Sequence, residues 1–332
     1  MISSRLVSGF ASAALVFALQ ALPAQAGPLG DFNVMTFGDF SANSSDVEGR
    51  VYAGGNVSLN SYSVGYTLSG DMVGGDSLVV GGNLNFGYGS VNHGNVVVGG
   101  SSTITDSFHW TMHNAGLSIT SNVGVAGLPV DFTAEYARLS AISTGLAALG
   151  ATGTSEYKWG QIFLTGAGAD DIEVFTISAA DLAASNTLNI SGVEDGKTVI
   201  VNVTGATASM SGGLDQFFER NRENVIFNFF EADTLSLANI GVQGSILAVD
   251  ADINSSWGVI WGQVVANNWN GPMQVNEVYY GGTVPGGSPT PTPNPVDDPI
   301  AVNAPAAAGL MLLGLVALAG LRRRSAPVAA VA

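Results

Sequence analysis

Apolar and polar residues alternate along residues 46–59 of the 332-residue chain. The apolar residues fall on odd-numbered positions: Val47, Val51, Ala53, Val57 and Leu59. A period of two predicts β-strands with one buried face, because successive side chains of a strand point to opposite sides. A Gly-Gly-Asn sequence at 54–56 interrupts the alternation, and paired glycines permit a sharp corner or a close backbone approach. The pattern therefore predicts short strands joined at a glycine corner.

This pattern returns at residues 77–86 and 95–104. The glycine pairs at 81–82 and 99–100 lie 18 residues apart, and those at 54–55 and 74–75 lie 20 apart. Such a repeat predicts a mainly β fold, a right-handed β-solenoid of stacked coils. The repeat is imperfect, so a β-sandwich is the alternative. Residues 240–266 repeat the theme, and we expect them to stack beside residues 46–104 as coils of one solenoid.

Further strands are predicted at 162–165, 172–177, 198–203, 225–230, 235–237 and 245–249. Two of them, 198–203 and 225–230, are nearly continuous apolar runs, which is typical of strands buried on both faces. Asn202 and Asn228 interrupt these runs, and a buried asparagine needs hydrogen-bond partners. Stacked coils supply such partners, so we interpret both residues as structural and not as a ligand site.

One long amphipathic helix is predicted after Pro129. Asp131 is a suitable N-cap, Glu135 complements the helix dipole, and Gly150 is a suitable end. An apolar stripe recurs at steps of three and four: Phe132, Tyr136, Leu139, Ile142, Leu146 and Leu149. A single helix in a β chain must bury such a stripe, so we expect it to pack along the solenoid.

Composition narrows the function classes. With 44 glycines and 11% charged residues, the chain is a turn-rich β protein, and the absence of cysteine excludes disulfides and thiolate metal sites. All 26 acidic residues lie between positions 31 and 298, where only six residues are basic. Nucleic acid is therefore excluded as a partner, because phosphate binding needs a basic stripe.

Three acidic pairs have the chemistry of acid/base groups or of calcium ligands: Asp170 with Asp171, Asp250 with Asp252, and Glu194 with Asp195. None lies in a recognisable calcium-binding loop. We interpret them as solvated turn carboxylates and predict no catalytic residue, no metal site and no cofactor, with Ca²⁺ as the one ion left open. His109 and His113 have the spacing of a zinc pair, but Trp110 stands where that motif needs Glu, so a partly exposed β turn is predicted there.

The two ends of the chain have the features of targeting segments. Residues 1–26 read as a signal peptide, with an apolar run and a cleavage site at Ala24 and Ala26. Residues 27–282 form one predicted domain, and residues 283–301 form a Pro/Gly-rich linker. Residues 302–332 contain an apolar run at 306–321 followed by three arginines, which is typical of a membrane-anchored sorting tail.

The core resembles the choice-of-anchor A family of bacterial surface adhesin domains. Matching stretches include residues 46–56, with the sequence Asp-Val-Glu-Gly-Arg-Val-Tyr-Ala-Gly-Gly-Asn, and residues 78–84, 244–248 and 261–266. They occur in order within residues 32–282. The resemblance implies a β-solenoid with a helix packed along it, related in shape to ice-binding adhesin domains, and no established catalytic residues.

The tail resembles the PEP-CTERM sorting signal of Gram-negative bacteria. The matching residues are Val302, Pro305 and Ala306, followed by Arg322, Arg323 and Arg324; the usual Pro-Glu-Pro is missing. The resemblance implies an exosortase-like sorting protease as a partner. It also implies a precursor held in the inner membrane through the C-terminal helix before processing.

These features together predict an exported, surface-anchored or matrix-associated non-enzymatic adhesin-like protein that contacts an extracellular polysaccharide or another surface ligand, as in a biofilm. One alternative is an ice-binding protein, although only Thr103-Ile104-Thr105 and, loosely, residues 118–120 resemble the regular threonine array that such faces need. The other alternative is a polysaccharide-active β-helix enzyme, which would use one of the acidic pairs.

Overall fold

The computed structural model describes residues 27–68 and 74–285. The predicted signal peptide with Ala24 and Ala26, most of the linker and the whole sorting tail lie outside the described residues. The strands are β1 (Val34–Thr36), β2 (Phe40–Val47), β3 (Val51–Ala53), β4 (Val57–Val64), β5 (Asp76–Val80), β6 (Leu84–Phe86), β7 (Gly89–Val91), β8 (Asn95–Val98), β9 (Ser102–Ile104), β10 (Ile119–Ser121), β11 (Thr154–Lys158), β12 (Gln161–Thr165), β13 (Ile172–Ser178), β14 (Thr187–Ser191), β15 (Thr198–Thr204), β16 (Thr207–Leu214), β17 (Val225–Asn228), β18 (Thr234–Gln243), β19 (Ser245–Ser255), β20 (Gly258–Trp261), β21 (Val264–Asn270) and β22 (Gln274–Asn276). The α-helices are α1 (Asp106–Asn114), α2 (Phe132–Ala147), α3 (Ala179–Ala184) and α4 (Gln216–Arg220).

The strands stack in parallel as the coils of a solenoid. One ladder, here called the helix face, runs β13–β15–β17–β19–β21–β1–β3–β5–β8–β10, and all its pairings are parallel. Parallel stacking at this scale distinguishes a solenoid from the β-sandwich alternative, whose sheets are antiparallel. Among the described strands, only the hairpin of β11 and β12 pairs antiparallel along its length.

The first coil of the chain lies in the middle of the solenoid. Val34 in β1 pairs with Val51 on one side and with Val264 on the other. The N-terminal coils extend from there to one end, and the C-terminal coils return from the opposite end to meet β1. The prediction that residues 46–104 and 240–266 are coils of one solenoid is therefore confirmed.

Helix α2 belongs to the segment that connects the N-terminal coils at one end of the solenoid with the C-terminal coils at the opposite end. Its 16 residues span about 24 Å, which equals about five strand spacings of ~4.8 Å. Leu139, Ile142 and Leu146 are buried in one cluster with Ile200 and Leu247 of the helix face. A helix in this position can carry the chain back along the coils while covering an apolar surface.

The ends of α2 and its exposed face differ in part from the predicted pattern. Asp131 is the N-cap, and its side chain accepts hydrogen bonds from the backbone N–H groups of Thr133 and Ala134 at 3.0 Å. The helix ends at Ala147, before the predicted Gly150. Tyr136 was predicted in the buried stripe but is 42% exposed, because its hydroxyl donates to Asp250 at 2.7 Å.

Helix α1 covers one end of the solenoid and replaces the predicted β turn. Thr105 is its N-cap, and Phe108 and Met112, one turn apart, are buried. Phe108 stacks on Phe86 of β6 with ring centroids 4.2 Å apart. The turn prediction was wrong because an open coil end needs an apolar cover, which alternation along single strands does not reveal. Within residues 27–68 and 74–285, no helix combines the length and apolar character needed to cross a membrane.

Candidate binding face

Glycine corners set the shape of the surface that follows them. Gly81 N–H donates to Ala53 O at 2.7 Å, and Gly99 N–H donates to Val80 O at 2.7 Å, so each corner is bonded to the coil beneath it. A Cβ on Gly81 would overlap Gly54 O. The corners are stacked too closely for side chains, and the coils therefore turn at the same place one above another.

A ladder of polar side chains follows these corners. Asn56 N–H donates to Asp39 Oδ1 at 2.7 Å, Asn83 N–H to Asn56 Oδ1 at 3.0 Å, and Ser101 N–H to Asn83 Oδ1 at 2.9 Å. On the other side, Asp39 N–H donates to Asn268 Oδ1 at 2.6 Å. Each side chain thus holds the backbone of the adjacent coil, which fixes the edge of the next sheet.

The sheet beyond this ladder presents a polar surface, here called the polar face. Its central column consists of eight residues paired in register: Ser209, Ser236, Asn254, Asn270, Ser41, Ser58, Asn85 and Thr103. Seven of these residues are exposed, whereas their neighbours along the strands, such as Val57 and Leu59, are buried. At ~4.8 Å per coil the column is about 34 Å long.

The chemistry of the polar face is that of short hydroxyl and amide groups. Serine and asparagine side chains supply both donors and acceptors without the conformational entropy of long chains. Asp252 on its flank accepts hydrogen bonds from Asn268 Nδ2 at 2.7 Å and Asn267 Nδ2 at 2.9 Å. Such a surface suits an extended polar ligand held by many weak contacts.

The two short threonine motifs that resemble an ice-binding array are divided between elements. Thr103 lies on the polar face, but Thr105 caps helix α1 and donates to Gly87 O at 2.8 Å. Thr120 pairs with Val97 at the end of the helix face. Thr103 is therefore the one threonine of the central column, and the two short motifs do not form a joint array.

The structure brings members of two acidic pairs together, because Asp170 and Glu194 line one pocket with Glu173. Asp250 binds the Tyr136 hydroxyl and Asp252 binds the asparagines at the polar face. Hydrogen bonds from Asn221 and Arg220 lower the pKa of Asp195 below its usual value. Among the described residues, no group of three or more histidine or acidic side chains is placed to hold a metal ion.

Glu173 is a buried carboxylate that the sequence analysis did not select. It is 1% exposed, and it accepts hydrogen bonds from Thr152 Oγ1 at 2.6 Å and from Ala169 N–H at 2.7 Å. Burial opposes its ionisation, but these bonds and further backbone N–H groups of residues 167 and 168 outweigh burial and lower the pKa of Glu173. This carboxylate holds the loop before β13, and a single Glu within a strand gives no signal of that role.

Comparison with known proteins places the chain by sequence. A family model described as "Putative Ice-binding-like adhesive domain" matches residues 25–277. No curated protein sequence matches the chain. Among solved structures, the crystal structure of an ice-binding protein from the Antarctic ascomycete Antarctomyces psychrotrophicus is similar, with 12% identity, 78% of this chain and 96% of that chain covered, and a TM-score of 0.34. The family match covers most of the sequence, and the chain therefore belongs to the ice-binding-like adhesive domain family.

Proposed function

We propose that this protein is an exported, non-enzymatic adhesin that holds an extracellular polysaccharide against the polar face. The observation that carries the proposal is the eight-coil column of short polar side chains. A face about 34 Å long and about 14 Å wide offers under ~500 Å², less than a stable protein interface buries. Single contacts are therefore weak, and adhesion depends on many copies displayed together.

We also propose that the protein has no catalytic function and needs no cofactor. Asp195, Asp250 and Asp252 each accept hydrogen bonds from neighbouring side chains, which supports structural roles. A glycosidase needs two carboxylates that face the same bond with different pKa values. Nucleic acid is not a proposed partner, because the formal net charge is −16.

A bulky side chain placed at the centre of the polar face tests whether this face binds the ligand. We expect Ser58→Tyr to reduce retention of the full chain on immobilised exopolysaccharide by about tenfold, because a phenol ring separates a flat ligand from the rows on both sides. Ala141→Tyr on the exposed side of α2 is the matched control and should leave retention unchanged. Equal retention of the two variants would contradict the proposal.

Ice is a second candidate ligand, favoured by the family description and by the regular spacing of the coils. The column of mixed serine and asparagine offers few methyl groups to order water, which counts against it. Thermal hysteresis of the full chain tests this candidate. Hysteresis that Ser58→Tyr removes would assign the polar face to ice.

Within the family, we propose a choice-of-anchor A protein with a PEP-CTERM-like tail, displayed at the surface or in the matrix of a Gram-negative bacterium. The support lies in the sequence: a helix over the apolar run at 306–321 would be about 24 Å long, somewhat less than the ~30 Å hydrocarbon core. A marginal span of this kind suits a transient membrane anchor that an exosortase-like protease removes.

Processing of the tail is directly measurable. Mass spectrometry of protein from the cell surface should find chains that lack Arg322, Arg323 and Arg324, because cleavage near Val302 to Ala306 removes everything beyond it. Replacing the three arginines by asparagine should leave the precursor unsorted. Intact Ala332 on most surface molecules would instead indicate a permanent membrane anchor.

A further inference from the structure

The hairpin of β11 and β12 carries an exposed tryptophan in a strained position. Trp159 and Gly160 form its two-residue turn, with φ values of 56° and 73°. Such turns favour Asn-Gly, because a positive φ is unfavourable for residues with a bulky side chain. Trp159 is nevertheless 83% exposed, so packing does not offset the strain. Backbone strain that packing does not offset is a mark of a functional position.

The indole of Trp159 belongs to a small aromatic cluster on the outer side of the hairpin. Its ring stands edge-on to Phe163, with centroids 6.3 Å apart. Lys158 Nζ lies 5.2 Å from the Trp159 ring centroid and 4.8 Å from that of Phe163, and it pairs with Glu156 at 2.7 Å. Lys158 lies over one face of the indole, and the Trp159 side chain nevertheless stays 83% exposed.

Polar amides border this cluster on the same side of the sheet. Phe163 pairs in register with Asn189, whose Nδ2 donates to Gln161 Oε1 at 3.0 Å and to Ile162 O at 3.2 Å. Among the described residues, the Gln161 amide N–H groups and the Asn189 amide oxygen have no further partner. We call Trp159, Lys158, Gln161, Phe163 and Asn189 the Trp159 platform.

We propose that the Trp159 platform binds a pyranose ring of a neutral polysaccharide. One face of a pyranose consists of C–H groups and packs on the electron-rich face of an aromatic ring, while its hydroxyls need nearby donors and acceptors. Gln161, Asn189 and Lys158 supply these around the rings. A neutral sugar fits better than an acidic one, because Glu156 offsets the Lys158 charge and the formal net charge of the chain is −16.

This site is distinct from the polar face. Strand β12 pairs with β14, and β14 pairs with the end of β16, so the platform ends another ladder of the solenoid. It shares the ligand class of the proposed function but does not require the polar face to bind. Two sites on different ladders would let one molecule link separate polysaccharide chains.

Calorimetric titration of the full chain with cellohexaose and maltohexaose tests the inference, with an alginate hexamer as the acidic comparison. We expect a neutral hexaose to bind and Trp159→Ala to weaken its binding at least tenfold. Trp257→Ala removes a tryptophan that is 76% exposed elsewhere and should change the affinity less than twofold. Trp159→Asn creates the favoured Asn-Gly turn, so it should also lose binding while its unfolding midpoint stays equal or rises.

Each other outcome is decisive. No binding of either neutral hexaose, preference for the alginate hexamer, or equal affinity of Trp159→Ala and wild type would overturn the inference. Loss of hexaose binding in Ser58→Tyr but not in Trp159→Ala would assign the sugar to the polar face and uphold the proposed function alone. The reverse result would support the Trp159 platform and count against the polar face.

Discussion

Replacing Gly81 by alanine is expected to destabilise the protein by about 4 kcal/mol or more, a large share of the 5–15 kcal/mol typical of a folded domain. The new methyl group would overlap Gly54 O and lie 2.8 Å from its carbonyl carbon. Both are backbone atoms of the adjacent coil, and the stacked corner of Gly99 lies on the other side. No side-chain rotation relieves this clash, so the coils must separate. Urea denaturation followed by circular dichroism measures the effect.

Gly145→Ala is the matched control for this prediction. Gly145 lies in helix α2 and is exposed, and no heavy atom lies within 4 Å of the position that an added methyl group would take. Because glycine costs a helix about 1 kcal/mol relative to alanine, this variant should be more stable than wild type by about that amount. Similar unfolding midpoints for the two variants would show that the glycine corners are not sterically required.

The local β structure could be predicted from the sequence because strands and corners are short-range features. Period-two alternation identified the coils around residues 46–59, and paired glycines marked the corners that stack at Gly54, Gly81 and Gly99. The order in which the coils stack is harder to predict from the sequence. The helix-face strands pair at Val34, Val51, Leu78, Val96 and Ile119, so coil length varies from 17 to 27 residues and no fixed period describes it.

The candidate sites, like the order of the coils, could be predicted only in part from the sequence. Alternation identifies Ser58 as an outward residue, but only the pairing with Ser41 and Asn85 shows that these polar residues form one column. The Trp159 platform depends on the positive φ of Trp159 and on the position of Phe163. The sequence reveals neither feature, because a Trp-Gly pair by itself predicts only an ordinary turn. Long-range register and backbone strain are properties of the folded chain.

Asn202 and Asn228 were predicted to be structural, and the structure shows that they form a hydrogen-bonded ladder beneath helix α2. Asn228 Nδ2 donates to Asn202 Oδ1 at 2.8 Å and to Ser143 O at 2.9 Å, and Asn228 Oδ1 accepts from Ser143 Oγ at 2.7 Å. Asn202 Nδ2 in turn donates to Leu146 O at 2.8 Å. All four residues are buried. The network therefore joins two coils to the helix in a place where water cannot replace a lost partner.

Asn228→Ala is expected to lower the free energy of unfolding by about 3 kcal/mol, because it leaves Ser143 Oγ and Asn202 Oδ1 buried without their partner. Asn270→Ala is the control: Asn270 is exposed on the polar face, where its Nδ2 lies 3.4 Å from Asn254 Oδ1, and its loss should cost less than about 0.5 kcal/mol. Urea denaturation of both variants and of Ser143→Ala, alone and combined with Asn228→Ala, measures the coupling. Because the two side chains share one hydrogen bond, the double variant should lose less stability than the sum of the single losses. Additive losses, or equal stability of Asn228→Ala and Asn270→Ala, would show that the ladder does not hold the helix on the solenoid.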